Sequence, residues 1–185
     1  MSSPTPIDPR SLRNVLGCYA TGVAVITARG TGGGHVGVTV NSFSSVSLDP
    51  PLVLFSLARK SNVLESLLQA DCFAVNILAQ AQVAVSNRFA RPSTAQFVEG
   101  EFREGANGCA LLHASLAQIE CDKAQVVEGG DHLIFLGGVT SVALLAPAHP
   151  LLFYRGAYGT YQKEQWSAQP APDGSLADFV VPGWG

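Results

Sequence analysis

GVTVNSFSSVSLDPPLVLFSL, residues 37–57, decides the fold. A β-branched run ends at Val40, a row of hydroxyls and one amide follows (Thr39, Asn41, Ser42, Ser44, Ser45, Ser47), and after Asp49-Pro50-Pro51 a second apolar run continues to Leu57. Two extended segments that read as buried are thus joined by polar side chains, and buried hydroxyls need partners. Upstream, GVAVITA (22–28) and HVGVTV (35–40) flank a glycine turn, the signature of a β-hairpin.

The remaining chain supplies more strands and a few short helices. Asp8 before Pro9 reads as an N-cap with proline at the first helical position, and Leu12, Val15, Leu16 and Tyr19 then share one helical face. SNVLESLLQA (61–70) reads as a helix capped by Ser61, running up to the strand CFAVNIL, and 80–89 as a second short helix. The stretch 91–108 has few apolar residues and reads as a surface excursion. From Ser115 the chain alternates, with Ala117, Ile119 and Cys121 on one side and Gln118, Glu120 and Asp122 on the other, as expected of a half-exposed antiparallel strand. HLIFLGGVTSVALL follows a Gly-Gly-Asp turn as a nearly continuous apolar strand, and LLFYRGAYGTY supplies the last one. About six strands in hairpins with short inserted helices predict a mainly β fold, a closed or split antiparallel barrel. The βαβ alternation of a doubly wound sheet is absent. The expected organisation is one domain over 1–164 and a loosely held proline-bearing tail over 165–185.

Composition removes several function classes. The 185 residues carry a net charge of −3, with 47% hydrophobic and 14% charged residues, an apolar balance that points to surface hidden in an oligomer. No Lys/Arg cluster is present to neutralise phosphates of nucleic acid. No apolar run reaches membrane-span length, and the N-terminal residues lack a secretion-signal core, so the expectation is a cytoplasmic protein with no membrane role. The cysteines at 18, 72, 109 and 121 are widely spaced and read as small buried hydrophobes; neither they nor the four scattered histidines define a metal site. The glycine cluster 30–34 lacks the third glycine of a dinucleotide fingerprint, since His35 stands there, and strand rather than helix follows it.

Thr39, Asn41 and Ser42 stand where a strand leaves the barrel, a row of donors suited to the edge of a heterocycle or to a phosphate. Ser56, Arg59, Lys60 and Ser61 repeat that chemistry at the start of the helix expected from Ser61, and one buried strand joins the two segments, so that both are expected along a single groove. Taken separately, each reads as a polar turn or a cap.

Together, TGVAVITA, GVTVNSFSSVSLDPPLVLFSL, ARKSN, GDH and LLFYRGAYGTY resemble, in this order, the short-chain flavin reductases, the NAD(P)H:flavin oxidoreductase components of two-component monooxygenases. The likeness extends from about Leu12 to Tyr161. It implies a homodimeric FMN-binding split barrel that reduces FMN or FAD with NADH or NADPH and passes reduced flavin to an oxygenase. It also implies flavin contacts from Thr39, Val40, Asn41 and Ser42, from Ser56, Ala58, Arg59, Lys60, Ser61 and Asn62, and from Arg88 and Phe89. His132, Tyr154, Gly156 and Tyr158 match positions near the nicotinamide, and His132 is the one candidate for an orienting or charge-stabilising role in catalysis. Either Arg59 or Lys60 is placed to reach a phosphate, and Arg59, Arg88, Arg91 and Arg155 are equal candidates for a 2′-phosphate. Hydride moves between the cofactors, so the protein has mainly to stack and order two rings. The alternatives are a flavin-storing or flavin-sensing module without turnover, and a reductase acting on another acceptor such as a ferric or cobalt complex.

Overall fold

A computed structural model describes residues 6–92, 97–145 and 147–162; the expected tail, 165–185, lies outside them. The chain begins with helix α1 (Pro9–Leu16), where the Asp8 carboxylate accepts from the backbone N–H groups of Arg10 and Ser11 and Pro9 occupies the first turn. These bonds and the Ser11 hydroxyl hold the Asp8 carboxyl below its ordinary value. The apolar face of α1 is present but uncovered: Val15, Leu16 and Tyr19 are 69%, 64% and 79% exposed.

Strands β1 (Thr21–Gly22), β2 (Ala24–Arg29) and β3 (His35–Val40) follow, with β2 and β3 forming the expected hairpin around a glycine turn closed by Gly30 N–H to Gly34 O. The opening stretch becomes β3, β4 (Ser44–Leu48) and β5 (Pro51–Ala58), and the Asp49–Pro50 peptide between the last two is cis. Then come α2 (Leu64–Gln69), β6 (Cys72–Ile77), a short 3-10 turn at Gln80–Gln82 leading into α3 (Val83–Phe89), β7 (Phe102–Glu104), β8 (Ala110–Leu112), β9 (Ala117–Gly129), β10 (His132–Leu144), β11 (Leu151–Tyr154) and β12 (Ala157–Thr160).

Seven strands form one antiparallel sheet in the order β3-β2-β6-β9-β10-β5-β4. Its two edge strands, β3 and β4, are consecutive in the chain, so the sheet curls until they meet. No ladder joins them, which leaves the barrel split. The seam is held instead by a side chain. Ser42 Oγ donates to Ser56 O (2.8 Å) and accepts from Ser56 N–H (3.0 Å). Pairing of β4 with β5 stops at Ser44↔Leu54, and Ser56 lies directly opposite Ile134 on the other side. The outward N–H and C=O of Ser56 therefore lack a strand partner, and the Ser42 hydroxyl takes both.

The barrel is filled by alternate residues. Val53, Phe55 and Leu57 of β5 and Leu133 and Phe135 of β10 point inward; Phe55 stacks on Phe135 at 4.9 Å and meets Phe73 edge-on at 5.1 Å. Gly137 belongs to this packing, because a Cβ there would run into the Phe73 ring and Cys121. A separate three-stranded sheet, β1-β11-β12, closes one end.

Four sequence expectations need correction. Helix α2 starts at Leu64, not Ser61; the Ser61 N–H closes a turn onto Ala58 O and no side chain caps α2. On the polar side of β9 Asp122 is exposed as expected, but Gln118 and Glu120 are not. Gln118 and Glu120 are 3% and 7% exposed, because the 97–112 excursion folds back as the β7–β8 hairpin and covers them. Glu120 there accepts from Asn107 N–H, and Gln118 donates to Leu112 O. LLFYRGAYGTY is two strands, not one, turning at Arg155 and Gly156, which have φ of 48° and 82°. Finally, only Cys109 and Cys121 are buried thiols, with burial pushing Cys121 up to about 12, whereas Cys18 is exposed and Cys72 half-buried.

Candidate flavin and nicotinamide site

A cleft of about 1040 Å³ lies between the end of α1, the residues leaving β3, and the β11–β12 turn. Arg13, Leu16 and Tyr19 form one wall, Phe153, Arg155 and Gly156 the other, and Thr21, Asn41 and Ser42 lie between them. The turn is fixed to the helix by Arg155 N–H to Gly17 O at 3.0 Å. A smaller cavity of about 190 Å³ adjoins it, sharing Asn41 and Phe153 and adding Thr39, Val40, Ser86 and Tyr158. Its far side is tied shut: Thr39 Oγ1 donates to Ser86 O (2.7 Å), and the Tyr158 hydroxyl contacts Ser86 Oγ at 2.8 Å and Asn87 Oδ1 at 3.2 Å.

Thr39, Val40, Asn41, Ser42, Gly156 and Tyr158 are thus brought together at one place. Among them only Asn41 is an exposed side chain making no hydrogen bond among the described residues; Ser42 is committed to Ser56. Thr21, missed by the sequence reading, contributes a buried hydroxyl with no partner among the described residues at the edge of the same cleft. An orphaned hydroxyl beside an uncommitted amide, in a hollow of this size, fits a polar-edged aromatic ligand such as a flavin ring.

Residues 56–62, the second expected segment, do not line either cavity, though the Ser56 backbone bonds Ser42 at its edge. Ser56, Ala58 and His132 share one face at the end of β5 and β10, where Ala58 pairs with His132. Beyond them Arg59 is held by the β9–β10 turn: its N–H bonds Asp131 O, its Nε bonds Gly130 O at 2.9 Å, and its guanidinium pairs with Glu128. Lys60, next to it, is exposed and makes no such bond among the described residues. Ser61 and Asn62 continue the turn ahead of α2. His132, 43% exposed at its side chain, has Nδ1 2.7 Å from Asp131 Oδ1, and this bond and charge hold the Asp131 carboxyl below its usual value. The two expected segments thus form two patches that meet at the seam, where Ser42 bonds the Ser56 backbone.

Two expected contacts face elsewhere. Phe89 is 1% exposed and packed beneath Gly37, where a Cβ would come within 2.6 Å of its ring, so its side chain is core. Arg88 pairs with Glu101 of the β7–β8 excursion. Tyr154 is exposed beside the cleft, with the Arg155 guanidinium 5.4 Å from its ring centroid.

Comparison with known proteins then decides the family. The flavin reductase like domain profile matches residues 16–162. The chain belongs to this family. It is 41% identical over 169 residues to a probable flavin reductase of Rhizobium meliloti, covering 91% of this chain and 54% of that relative. It is 38% identical over 166 residues to the flavin-dependent monooxygenase reductase subunit HsaB of Rhodococcus jostii, covering 90% and 84%. Among solved structures, the Streptomyces globisporus NADH:FAD oxidoreductase SgcE6 in complex with NAD and FAD fragments matches with a TM-score of 0.80 at 34% identity, over 88% of this chain and 99% of that one. The chain spans about half the length of the Rhizobium relative it matches.

Proposed function

We infer that this flavin reductase family chain, through a domain over 1–164, oxidises NADH or NADPH and reduces FMN or FAD, delivering the reduced flavin to an oxygenase component. The observation that carries the reading is the cleft at Thr21, Asn41 and Ser42, all within the residues the family profile matches. The relatives, among them a monooxygenase reductase subunit and an NADH:FAD oxidoreductase, support the same activity here.

In this reading Asn41 and Thr21 bind the polar edge of the flavin, while Ser42 holds the seam that fixes their backbone. Lys60 is favoured over Arg59 for the flavin phosphate, because Arg59 is already committed to Glu128 and Gly130. His132 and Tyr154 flank the nicotinamide, with Asp131 fixing the imidazole through Nδ1 and leaving Nε2 toward the ligand. When bound, the flavin supplies the hydride acceptor and the nicotinamide the hydride. The protein's part is to stack and order the two rings and keep them dry. No side chain need transfer a proton for the hydride to move.

The site's two patches and the uncovered apolar face of α1, together with exposed Val142 and Leu144 on β10, support a homodimer whose second copy helps to complete the site. Light scattering that finds a flavin-binding monomer at micromolar protein excludes this assembly. For the activity itself, anaerobic mixing of the protein with flavin and NADH is expected to bleach the flavin's visible absorbance. Flavin binding without bleaching by either NADH or NADPH would leave a storage or sensing module instead.

A further inference from the structure

We propose that Cys72 and Cys109 are an oxidation site, a thiol pair that hydrogen peroxide converts to a disulfide clamping the β7–β8 hairpin onto β6. Reduced flavin yields hydrogen peroxide on meeting dioxygen; only that source of the oxidant rests on the reductase reading, and the thiol geometry stands without it.

The alternation of β6 sets the pair up. Phe73 and Val75 face the barrel core, so Cys72, Ala74 and Asn76 point to the outer side of the sheet. β8 lies along that side: Leu112 N–H donates to Asn76 Oδ1 at 2.7 Å, and Cys109 and Leu111 pack into one buried cluster with Ala74, against which Cys72 rests. Cys72 Sγ is 3.7 Å from Cys109 Sγ. A disulfide needs about 2.05 Å, a closure within reach of side-chain rotation. Both backbones are already fixed. Cys72 is paired in register with Asp122 of β9. Cys109 donates its N–H to Asn107 Oδ1 at 3.0 Å, and its C=O accepts from Gly105 N–H at 2.8 Å. Asn107 in turn ties this loop to the sheet, with Nδ2 donating to Phe73 O, its N–H to Glu120 Oε2, and its C=O accepting from Cys72 Sγ at 3.3 Å.

Burial assigns the two roles. Cys72 is half-buried and meets peroxide first. Cys109 is buried, and that burial, with the Cys72 sulfur next to it, pushes its thiol up, so it stays protonated and waits as the resolving partner. The Cys72 sulfur attacks one peroxide oxygen, the O–O bond breaks, and the departing hydroxide leaves as water with the Cys72 thiol proton, giving a sulfenic acid. The Cys109 sulfur then attacks the Cys72 sulfur. The S–S bond forms, the S–O bond breaks, and the hydroxide leaves as a second water with the Cys109 proton. Two thiols have given up two electrons, and one peroxide has become two waters. The other cysteines lack this arrangement: the Cys18 sulfur meets Asn14 O and Arg155, and Cys121 faces the barrel core.

The test treats the full chain, reduced and desalted, with a slight excess of hydrogen peroxide, with no flavin or nucleotide added. Thiols titrated after denaturation should fall from four to two, and a peptide map without reductant should join Cys72 to Cys109. Tm should rise by about 5 °C or more and return on reduction, since the bond closes a long loop. Cys72→Ser should abolish both the link and the rise, and Cys18→Ser should leave both. Cys109→Ser should let Cys72 pass on to sulfinic acid for want of a resolving thiol; if that variant does not fold, Cys72→Ser decides alone. A parent chain with no joined peptide, or with Cys72 as sulfinic acid beside a free Cys109, overturns the proposal, and a linked chain that melts no higher than the reduced one overturns the clamp. A chain that forms the link but never oxidises NADH would refute the reductase reading and leave the pair standing.

Discussion

Replacing Ser42 with alanine removes a side chain that bridges the split in the barrel. Two hydrogen bonds are lost, to Ser56 O and from Ser56 N–H, and both backbone groups are half-buried with no strand beside them. At about 1 kcal/mol for each neutral bond, and more where a group is left unpaired, Ser42→Ala should cost about 2 kcal/mol and at most about 3. For a domain of this size that lowers Tm by about 4–8 °C. Asn41→Ala is the matched control: the side chain is exposed and makes no bond among the described residues, so stability should move by less than about 0.5 kcal/mol. The two variants should diverge the other way in function. Asn41→Ala should weaken flavin binding by about 1–3 kcal/mol through direct loss of a contact. Ser42→Ala should weaken it through displaced backbone. Urea unfolding and fluorescence titration with flavin measure the two quantities on the same samples. A Ser42→Ala protein as stable as the parent would show that the seam is not held by this hydroxyl, and an Asn41→Ala protein with parental flavin affinity would remove Asn41 from the site.

Other consequences can be checked separately. His132→Ala should lower kcat/KM for NADH about 10-fold with flavin affinity and Tm nearly intact, since the side chain is exposed and bonded only to Asp131; unchanged steady-state kinetics would exclude it. His35 lies under Phe97 and Phe102, and burial, reinforced by Arg29, holds its pKa below the ordinary value despite Glu104 at 3.4 Å. The unfolded chain therefore binds this proton more readily than the folded one, so stability should fall as pH drops below about 6.5, the unperturbed histidine value. His35→Gln should flatten that part of a melting-temperature profile, and an equally steep profile would contradict the assignment.

The barrel was legible because period-two alternation and turn chemistry are local. The β2–β3 hairpin, the Asp8 cap and the long β9–β10 pair all follow from neighbours in sequence. What covers a face is not local. Gln118 and Glu120 read as solvent-facing since nothing in the apolar-poor stretch 91–108 announces that the chain folds back over them as the β7–β8 hairpin. Asn76, wholly buried, is explained only by partners far along the chain: it donates to Val25 O and accepts from Leu112 N–H. The same limit applies at the site. The row of hydroxyls at 39–47 pointed to ligand binding, yet Thr39 and Ser42 spend their hydroxyls inside the fold, on Ser86 and Ser56. Asn41 alone of that trio keeps its polar group for the cleft. Thr21 and Arg13 became visible only when β1 and α1 were seen to close against the β11–β12 turn, a contact between residues more than a hundred positions apart.

Electron transfer from a nicotinamide to a flavin is tested most directly by the rate at which the purified protein consumes NADH, followed by the nucleotide's own near-ultraviolet absorbance, as FMN or FAD is added in increasing amounts. Oxidation is expected to be negligible without flavin, to rise with it and to saturate. Flavin that binds the protein while neither NADH nor NADPH is consumed at any flavin concentration would contradict that transfer.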